Sequence, residues 1–559
     1  MAASVAVKTS GELRLSVHDR PAMLELMSHE SYDLVIIGGG ITGAGVAREA
    51  NPRGGKGGVV EAEDFAFGTS SRSSKLIHGG IRYLENYEFH LVFEALSERA
   101  LLFDIAPTLV HPLRFVLPLY QGNRVGMFMM GLGMWAYDAL SLFEAPEPHE
   151  RLSSKESCER LPLLQPKGLQ GSYVYSDAYM DDDRLVHETL RSAVAQGARV
   201  ANRLRAIDVR MEEGRVRGLK VRDAKSGREF EIQGKHFVST VGPWTDRVAT
   251  DLLKDWKKIL RPSKGVHLTF KRSRFDVSDA IVMAADNDKR IVFGIPRHEM
   301  YIIGTTDTDF SGDPKDVAVT AEDVRYLLGV ADHYFPGAKL TKDDIVSCYA
   351  GVRPLVDDGS ATESKTSREH VILNDARNVT FVAGGKYTTY RRMALDAVES
   401  TLDYFDIEDR VRFGRSQTTV PLNPNATVEA LSRARHLVDQ VSRETGLARE
   451  HVELLVERHA MEFESLLRHD PGSSVDSGER MWVMEAKHAI RETMCDSLVD
   501  FYARRVPLFL AESDHGLRFL GRIARAFQEE LSWTDAERSA QCSALQDYCA
   551  RELAWRAQL

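Results

Sequence analysis

Residues 32–50 read YDLVIIGGGITGAGVAREA, and this stretch decides the fold. The apolar run at 34–37 predicts a buried strand, and the small-residue pattern after the glycines predicts a helix. Between them Gly38, Gly40 and Gly43 have the G-x-G-x-x-G spacing. The first glycine permits a tight turn, the second lets a pyrophosphate approach the backbone, and the third lets the helix pack closely on the strand. Since the helix N-terminus also offers free N–H groups to an anion, the stretch predicts a dinucleotide-binding unit.

A carboxylate stands at the predicted end of the second strand. Glu61 follows Val59 and Val60, about 20 residues after the glycines, where it can accept hydrogen bonds from a ribose diol. Glu63 is the alternative. Pro52 and the glycines at 54, 55, 57 and 58 crowd the crossover, so we expect the first helix to end early. NAD and FAD share the glycine fingerprint, and neighbouring motifs must distinguish them.

Composition and charge exclude several classes of protein. The 559 residues are 43% hydrophobic and 28% charged, which is typical of a globular protein of several domains. The net charge of -10 argues against a nucleic-acid partner. Five cysteines without a C-x-x-C pair favour a reducing cytoplasm and predict neither a disulfide framework nor a bound metal.

No exported or membrane-spanning protein is predicted. Residues 1–30 mix acidic and basic side chains where a signal peptide needs an apolar core. The longest apolar run, GMFMMGLGMWAY at 126–137, is shorter than the roughly 20 residues that span a bilayer.

Residues 65–85, FAFGTSSRSSKLIHGGIRYLE, combine many hydroxyls with basic side chains, and they resemble the bacterial FAD-dependent glycerol-3-phosphate dehydrogenases. The resemblance continues through RPSKGVHL (261–268), IIGTTDTDF (302–310), GVRPL (351–355), SREH (367–370) and GGKYTTYRRMA (384–394). It implies noncovalent FAD, oxidation of sn-glycerol 3-phosphate to dihydroxyacetone phosphate, and transfer of the electrons to a membrane quinone.

The candidate cofactor-binding residues lie in three segments. The hydroxyl-rich loop 68–74 offers neutral donors to the FAD phosphates and ring edge. Residues 381–385 predict a buried strand that opens into a glycine turn, whose backbone N–H groups could approach the flavin. The complete set is Gly38, Gly40, Gly43, Glu61, Thr69, Ser70, Ser71, Ser73, Lys75, Gly384, Gly385, Thr388 and Thr389.

An acidic protein that binds a phosphate dianion needs a local cationic pocket. Arg82, Arg353 and Lys386 stand near glycine or proline at predicted loops or strand ends, and they are the predicted substrate-binding cations. Tyr83 could add a hydroxyl donor, or it could pack under the loop.

The chemistry implied by the resemblance is hydride transfer from C2 of the substrate to flavin N5, while a base takes the hydroxyl proton. Histidine suits this role because its ordinary pKa is about 6.5. The resemblance places His267 on the substrate side of the flavin, and His78 is the second candidate. The predicted catalytic set is His267, Arg353, which would stabilise alkoxide charge, and Lys386, near flavin N1 and O2.

The predicted fold class is α/β with three domains. Residues 31–110, 171–260 and 360–400 form a discontinuous, Rossmann-like FAD-binding domain of the glutathione-reductase type, after an N-terminal extension at 1–30. Residues 111–170 and 261–359 form a substrate-binding domain with an antiparallel sheet. Residues 401–559 form an all-α domain, with helical periodicity at 428–445, 450–468, 480–504 and 515–530.

The resemblance also implies monotopic contact with the cytoplasmic membrane, on its inner face, and a homodimer is compatible with it. Residues 127–135 and 517–527 are the candidate membrane segments, although either could be a core helix. Other functions stay open at this point: an oxidase that makes hydrogen peroxide, an amino-acid oxidase of the same superfamily, or a dinucleotide-binding module without catalysis.

Overall fold

The computed structural model describes residues 13–142, 145–275, 277–285, 290–357, 359 and 369–559, without the side chains of residues 82, 85 and 86. The strands of this part of the chain are β1 (Ser31–Ile37), β2 (Gly57–Val60), β3 (Leu76–Ile77), β4 (Val110–Tyr120), β5 (Glu150–Ser153), β6 (Leu169–Met180), β7 (Arg199–Ala201), β8 (Leu204–Glu212), β9 (Arg215–Asp223), β10 (Glu229–Ser239), β11 (Ser263–Lys271), β12 (Ala280–Ala284), β13 (Ile291–Arg297), β14 (Met300–Gly304), β15 (Thr308–Asp309), β16 (Ile345–Arg353), β17 (His370–Asp375) and β18 (Val379–Gly384).

The helices are α1 (Arg20–His29), α2 (Ile41–Ala50), α3 (Phe89–Ile105), α4 (Met127–Leu140), α5 (Ser154–Arg160), α6 (Asp182–Ala195), α7 (Thr245–Leu253), α8 (Ala321–Tyr334), α9 (Tyr390–Thr401), α10 (Ile407–Arg412), α11 (Val428–Thr445), α12 (Arg449–His459), α13 (Phe463–Leu467), α14 (Ser477–Glu492), α15 (Leu498–Arg504), α16 (Leu508–Ala511), α17 (Leu520–Leu531) and α18 (Asp535–Glu552).

The first sheet contains the predicted strand, glycine turn and helix. Its order is β17-β18-β10-β1-β2-β7, with β9 beside β10 and β8 beside β9. β1 pairs in parallel with both β10 and β2, and α2 packs between this sheet and the helices α6 and α9. β1 is buried at every residue except Ser31, as expected for a parallel strand covered on both faces. The predicted α/β fold class with a Rossmann-like domain is confirmed, and α2 ends at Ala50, before the crowded crossover.

The second sheet is mainly antiparallel. Its order is β15-β11-β14-β13-β12-β4-β6-β3, with β16 paired to β11 and β5 to β6. Helix α8 packs against β11 and β14. The predicted boundary at residue 171 is wrong in position, because β6 pairs with β4 from Leu169 to Met180 and so belongs to this sheet. The predicted segment 360–400 begins with residues 360–368, which lie outside the described residues.

The C-terminal region is helical, as predicted, but two of the predicted helices are divided. The segment 480–504 is split between α14 and α15 near Met494, whose φ is +50°. The segment 450–468 is split between α12 and α13 at Ala460, whose φ is +47°. Helix α18 was not predicted. The apolar face of α17 is buried in the helical core at Ile523 and Phe527, so this segment is a core helix and not an interfacial one.

Candidate active site

A cavity of about 850 Å³ lies where the two sheets meet. It brings together most of the predicted site residues: Gly38, Gly40, Glu61, Thr69, Ser70, Ser73, His78, Tyr83, His267, Arg353, Gly384, Gly385, Lys386 and Thr388 line it. Gly43, Ser71, Lys75 and Thr389 are not among its lining residues. The side chain of Arg82 lies outside the described residues, so its predicted role stays a prediction.

The glycine turn has the geometry that its spacing predicts. Gly38 has a φ of +110°, and Gly40 precedes the first turn of α2. A Cβ on Gly43 would lie 1.9 Å from the carbonyl oxygen of Gly38, so the third glycine serves helix–strand packing and not the cavity wall. Glu61 accepts hydrogen bonds through its carboxylate from the backbone N–H groups of Gly39 (2.7 Å) and Glu63 (2.8 Å). Burial raises the pKa of Glu61.

We call residues 61–74 the cofactor loop. Its hydroxyls connect it to three separate elements. Ser70 Oγ accepts a hydrogen bond from the backbone N–H of Ile41 at the start of α2 (3.0 Å). Thr69 Oγ1 donates to the carbonyl oxygen of Val352 on β16 (2.6 Å), and Ser73 Oγ donates to Asp182 on α6 (2.7 Å). The loop is therefore held against α2, β16 and α6 at the cavity.

Lys75 differs from its predicted place at the cofactor. Its backbone has a φ of +55°, and its side chain is buried in an ion pair with Asp182, with 2.5 Å between Nζ and Oδ1. A buried carboxylate needs an opposite charge nearby, and the Lys75 ammonium supplies it for Asp182. Lys75 therefore supports the end of the cofactor loop from inside the protein and does not line the cavity.

Arg353 lies at the end of β16, where it lines the cavity. Its Nη2 donates to Thr305 Oγ1 (2.8 Å), and its Nη1 pairs with Asp307 Oδ1 (3.1 Å). The neighbouring strand β11 has Gly265 beside the guanidinium, and a Cβ there would lie 2.5 Å from Nη2. Gly265, within the stretch RPSKGVHL at 261–268, therefore leaves room for the guanidinium, and sequence reasoning did not single it out.

Lys386 follows two glycines with positive φ, Gly384 (+71°) and Gly385 (+81°), which turn the chain sharply after β18. Its Nζ lies 4.0 Å from the centroid of the Tyr83 ring, a cation–π contact. This contact uses the ring of Tyr83, and donation by its hydroxyl to a phosphate stays a prediction. Thr388 Oγ1 accepts a hydrogen bond from the backbone N–H of His78 (3.2 Å) and so connects the two glycine-rich turns.

His267 is buried on β11 beside the cavity. Its Nε2 lies 2.9 Å from Ser74 Oγ, and its ring stacks on Tyr349 with centroids 4.8 Å apart. Burial, followed by the charges of Arg353 and Lys75, holds the pKa of His267 well below its ordinary value. The imidazole is therefore neutral near pH 7 and able to accept a proton. Sequence reasoning did not single out Tyr349, since an aromatic residue on a buried strand gives no distinct signal.

A second cluster of ionisable groups lies in the helical domain. His459, Glu462 and His488 place potential ligand atoms within 4.8 Å of one another. Glu462 is, however, bound by Arg191 (2.5 Å) and Asn423 (2.7 Å), and His459 Nε2 lies 3.0 Å from Glu485. These groups satisfy one another as a buried ion-pair network.

Comparison with known proteins matches both parts of the chain to family models. Residues 33–391 match the family described as FAD dependent oxidoreductase, and residues 428–538 match the C-terminal domain of alpha-glycerophosphate oxidase. Aerobic glycerol-3-phosphate dehydrogenase of Staphylococcus haemolyticus (strain JCSC1435) is 37% identical over 407 residues, 73% of each chain. The protein of the same name from Staphylococcus aureus (strain USA300) is 37% identical over 389 residues, 69% of this chain and 70% of the relative.

Solved structures agree with these matches. The glycerol-3-phosphate dehydrogenase from Bacillus halodurans, complexed with FAD, has a TM-score of 0.79 at 28% identity, covering 96% of this chain and 98% of that one. An L-alpha-glycerophosphate oxidase from Mycoplasma pneumoniae, with FAD bound, shares the fold with a TM-score of 0.52 at 16% identity, over 66% of this chain and 94% of that one.

Proposed function

Because this chain belongs to the FAD-dependent oxidoreductases, in the glycerol-3-phosphate dehydrogenase branch, we propose that it oxidises sn-glycerol 3-phosphate to dihydroxyacetone phosphate and passes the electrons to a lipid-soluble quinone. One observation carries the proposal. The glycine turn, two cations (Arg353 and Lys386) and the neutral His267 line the same cavity.

The residues of the cavity fit FAD. Gly38 and Gly40 leave the N-terminal end of α2 without side chains, and a Cβ on Gly40 would lie 3.1 Å from Ser70 Oγ. The volume, about 850 Å³, is within the range of roughly 300–1,000 Å³ usual for cofactor sites. The residues that would hold FAD are the glycine turn, Glu61, the cofactor loop and the turn at Gly384. Bound FAD supplies the hydride acceptor.

Arg353 and Lys386 are the groups that would hold the substrate phosphate. The protein as a whole carries a net charge of -10, so an anion is attracted to these local cations and not to the general surface. Arg353 keeps its Nη2 and Nη1 directed by Thr305 and Asp307, which fixes the guanidinium before any ligand arrives.

His267 would take the proton of the C2 hydroxyl at Nε2, the nitrogen that already lies within hydrogen-bond distance of a hydroxyl, that of Ser74. The positive charge of Arg353 disfavours an imidazolium at rest and stabilises negative charge that develops on the substrate oxygen. His267 and Arg353 thus have complementary roles as proton acceptor and charge stabiliser.

The direct test is the absorbance spectrum of the purified protein followed by anaerobic addition of glycerol 3-phosphate. We expect a flavin spectrum that is bleached by this substrate and restored by a quinone analogue. Bleaching by an amino acid, with no response to glycerol 3-phosphate, would reject the substrate. Fast turnover with stoichiometric hydrogen peroxide in air would reject the quinone in favour of an oxidase. A flavin that no donor bleaches would indicate a binding module without catalysis.

We propose that helix α4 makes the contact with the membrane. No helix in the described ranges of the chain is long and apolar enough to cross a bilayer. On α4, however, Phe128, Met129, Leu132 and Trp135 are each more than half exposed, at 78%, 61%, 52% and 62%, and residues 127–137 carry no charge. Clustered exposed aromatic and aliphatic side chains of this kind suit a bilayer interface, here the inner face of the cell membrane.

A flotation assay with lipid vesicles tests the role of α4. We expect the double substitution Phe128→Ser, Trp135→Ser to reduce vesicle binding at least tenfold. The matched control is Ile407→Ser, Val411→Ser, because these apolar side chains on α10 are at least as exposed, at 80% and 79%. Equal vesicle binding by both double variants would exclude α4 as the docking helix. The expected homodimer is tested by the mass of the detergent-solubilised protein in solution.

A further inference from the structure

The helical C-terminal domain contacts the cofactor loop at a buried carboxylate near the loop's start, that of Asp64. Asp64 is fully buried, and both of its oxygens accept hydrogen bonds from two consecutive arginines of the C-terminal domain. Arg505 donates to Oδ2 (2.9 Å) and Oδ1 (2.9 Å), and Arg504 donates from Nε to Oδ2 (2.8 Å). Burial alone would raise the pKa of Asp64, but Arg505 and Arg504 outweigh it and hold that pKa well below its ordinary value. Asp64 is therefore ionised and paired.

The two arginines are themselves fixed inside the C-terminal domain. Arg505 donates to the hydroxyl of Thr493 from Nε (2.8 Å) and to the carbonyl oxygen of Thr493 from Nη2 (2.9 Å). Arg504 pairs with Asp500, and its guanidinium lies 5.4 Å from the ring centroid of Phe67, a residue of the cofactor loop. The contact is thus a fork with fixed geometry, not a flexible surface pair.

The same domain reaches the other end of the cofactor loop. Arg72 pairs with Glu552 of α18, with 3.4 Å between Nη2 and Oε1, and donates from Nη1 to the carbonyl oxygen of Ala350 (3.0 Å). A Cβ on Gly351 would lie 2.6 Å from the carbonyl oxygen of Arg72, so the loop lies directly on β16. The C-terminal domain thus holds both ends of the cofactor loop.

Between these two contacts, the loop forms one wall of the cavity through Phe67, Thr69 and Ser70. Next to Asp64, the backbone N–H of Ala66 donates to the carbonyl oxygen of Gly39 in the glycine turn (3.1 Å). A displacement of Asp64 would therefore move the wall of the nucleotide site. A loop that is ordered before binding increases affinity, because the apparent dissociation constant equals the intrinsic one divided by the fraction of molecules whose loop is in the binding conformation.

We propose that Arg504 and Arg505 are positioning residues for FAD, and that the C-terminal domain acts through them on Asp64 to keep the cofactor loop in its FAD-binding conformation. Neither arginine lines the cavity, so both act only through the loop. The proposal depends on FAD as the cofactor but not on which substrate is oxidised.

The test measures the release of FAD from the holoprotein, followed by the rise of flavin fluorescence after dilution. In Arg505→Lys the charge stays but the two-point contact with Asp64 is lost, and we expect FAD to dissociate about 10- to 100-fold faster. The matched control is Arg480→Lys. Arg480 is an equally buried arginine that binds Asp470 at two points entirely inside the C-terminal domain. In the control we expect release within about twofold of the parent.

A milder variant keeps the test decisive if Arg505→Lys does not fold. Thr493→Val removes only the hydroxyl that directs Arg505 Nε, and we expect a smaller acceleration of FAD release in the same direction. Thermal unfolding of the apoproteins reports general loss of stability. Equal FAD release in Arg505→Lys, Thr493→Val and Arg480→Lys would overturn the proposal. Bleaching by glycerol 3-phosphate is measured separately. If glycerol 3-phosphate does not bleach the flavin, the rates of FAD release still test the role of Arg504 and Arg505.

Discussion

Replacing Gly265 by alanine should displace Arg353 without unfolding the protein. The added Cβ would lie 2.5 Å from Arg353 Nη2 and 2.6 Å from Thr305 Oγ1, about 1 Å inside ordinary contact. Gly265 does not have a positive φ, so alanine fits its backbone. The guanidinium is the end of a flexible side chain and should yield first, which breaks its 2.8 Å hydrogen bond to Thr305.

The expected loss of activity follows from the free energy of one charge-assisted hydrogen bond, about 1.5–3 kcal/mol. If Arg353 holds the substrate phosphate, kcat/KM for glycerol 3-phosphate should fall about 10- to 150-fold in Gly265→Ala, since each 1.36 kcal/mol is roughly a factor of ten. Arg353→Ala should raise KM and lower kcat, and adding Gly265→Ala to it should change little more, because both act on one guanidinium.

The assay is steady-state kinetics with glycerol 3-phosphate and a quinone analogue, with flavin content measured on every sample. The control is Gly329→Ala on α8, because a Cβ at Gly329 meets no atom within 4 Å. Gly329→Ala should keep parental kinetics. If Gly265→Ala has the same kinetics as Gly329→Ala, the guanidinium does not depend on Gly265, and the placement of Arg353 at the phosphate loses its support.

His267→Ala should slow flavin reduction about 10²- to 10⁴-fold if His267 is the base, measured by anaerobic stopped flow. His236→Ala, which removes a buried histidine outside the cavity, should leave that rate unchanged. The pKa of His267 is held low, so the imidazole is neutral above that pKa and becomes protonated as pH falls through it. We therefore expect the acid limb of the pH profile of kcat/KM to lie well below pH 6.5. An acid limb at or above pH 7 would contradict this expectation. Lys75→Met should lower the free energy of unfolding by about 3–5 kcal/mol in urea titration, because it leaves Asp182 buried without a counter-charge. Asp182→Asn added to Lys75→Met should recover part of the loss, and a loss below about 1 kcal/mol in the single variant would mean that the pair contributes little.

The parts of the fold that were predicted correctly depend on local physics. The glycine turn follows from a positive φ at Gly38 and from the space that Gly43 leaves for close packing. The helical domain was predicted from apolar periodicity. The predicted helix boundaries are wrong at positions where periodicity carries no information. Helices break at Ala460 and Met494 through positive φ, which neither residue type signals. Helix α18 was missed because few of its residues are buried, among them Tyr548.

The predicted site residues likewise include some that the structure brings to the cavity and some that it does not. The motifs identified His267 and Arg353 as polar groups near a glycine-rich cofactor turn, and the structure brings them into one cavity with that turn. Lys75 belongs to the same motif, yet its backbone turns it inward to a buried carboxylate. A motif thus specifies which residue types are present, whereas the direction of each side chain depends on the backbone conformation and on the available partner.

By itself, the sequence determined that this protein binds a dinucleotide through a strand, a glycine turn and a helix, because those signals act within a few residues of one another. Only the tertiary structure decided which charges meet. Asp64 and Arg504 are 440 positions apart, and their pairing depends on the packing of two domains. No local pattern records such a contact, because a buried ion pair is fixed by the desolvation of both groups, which occurs only when the domains pack together.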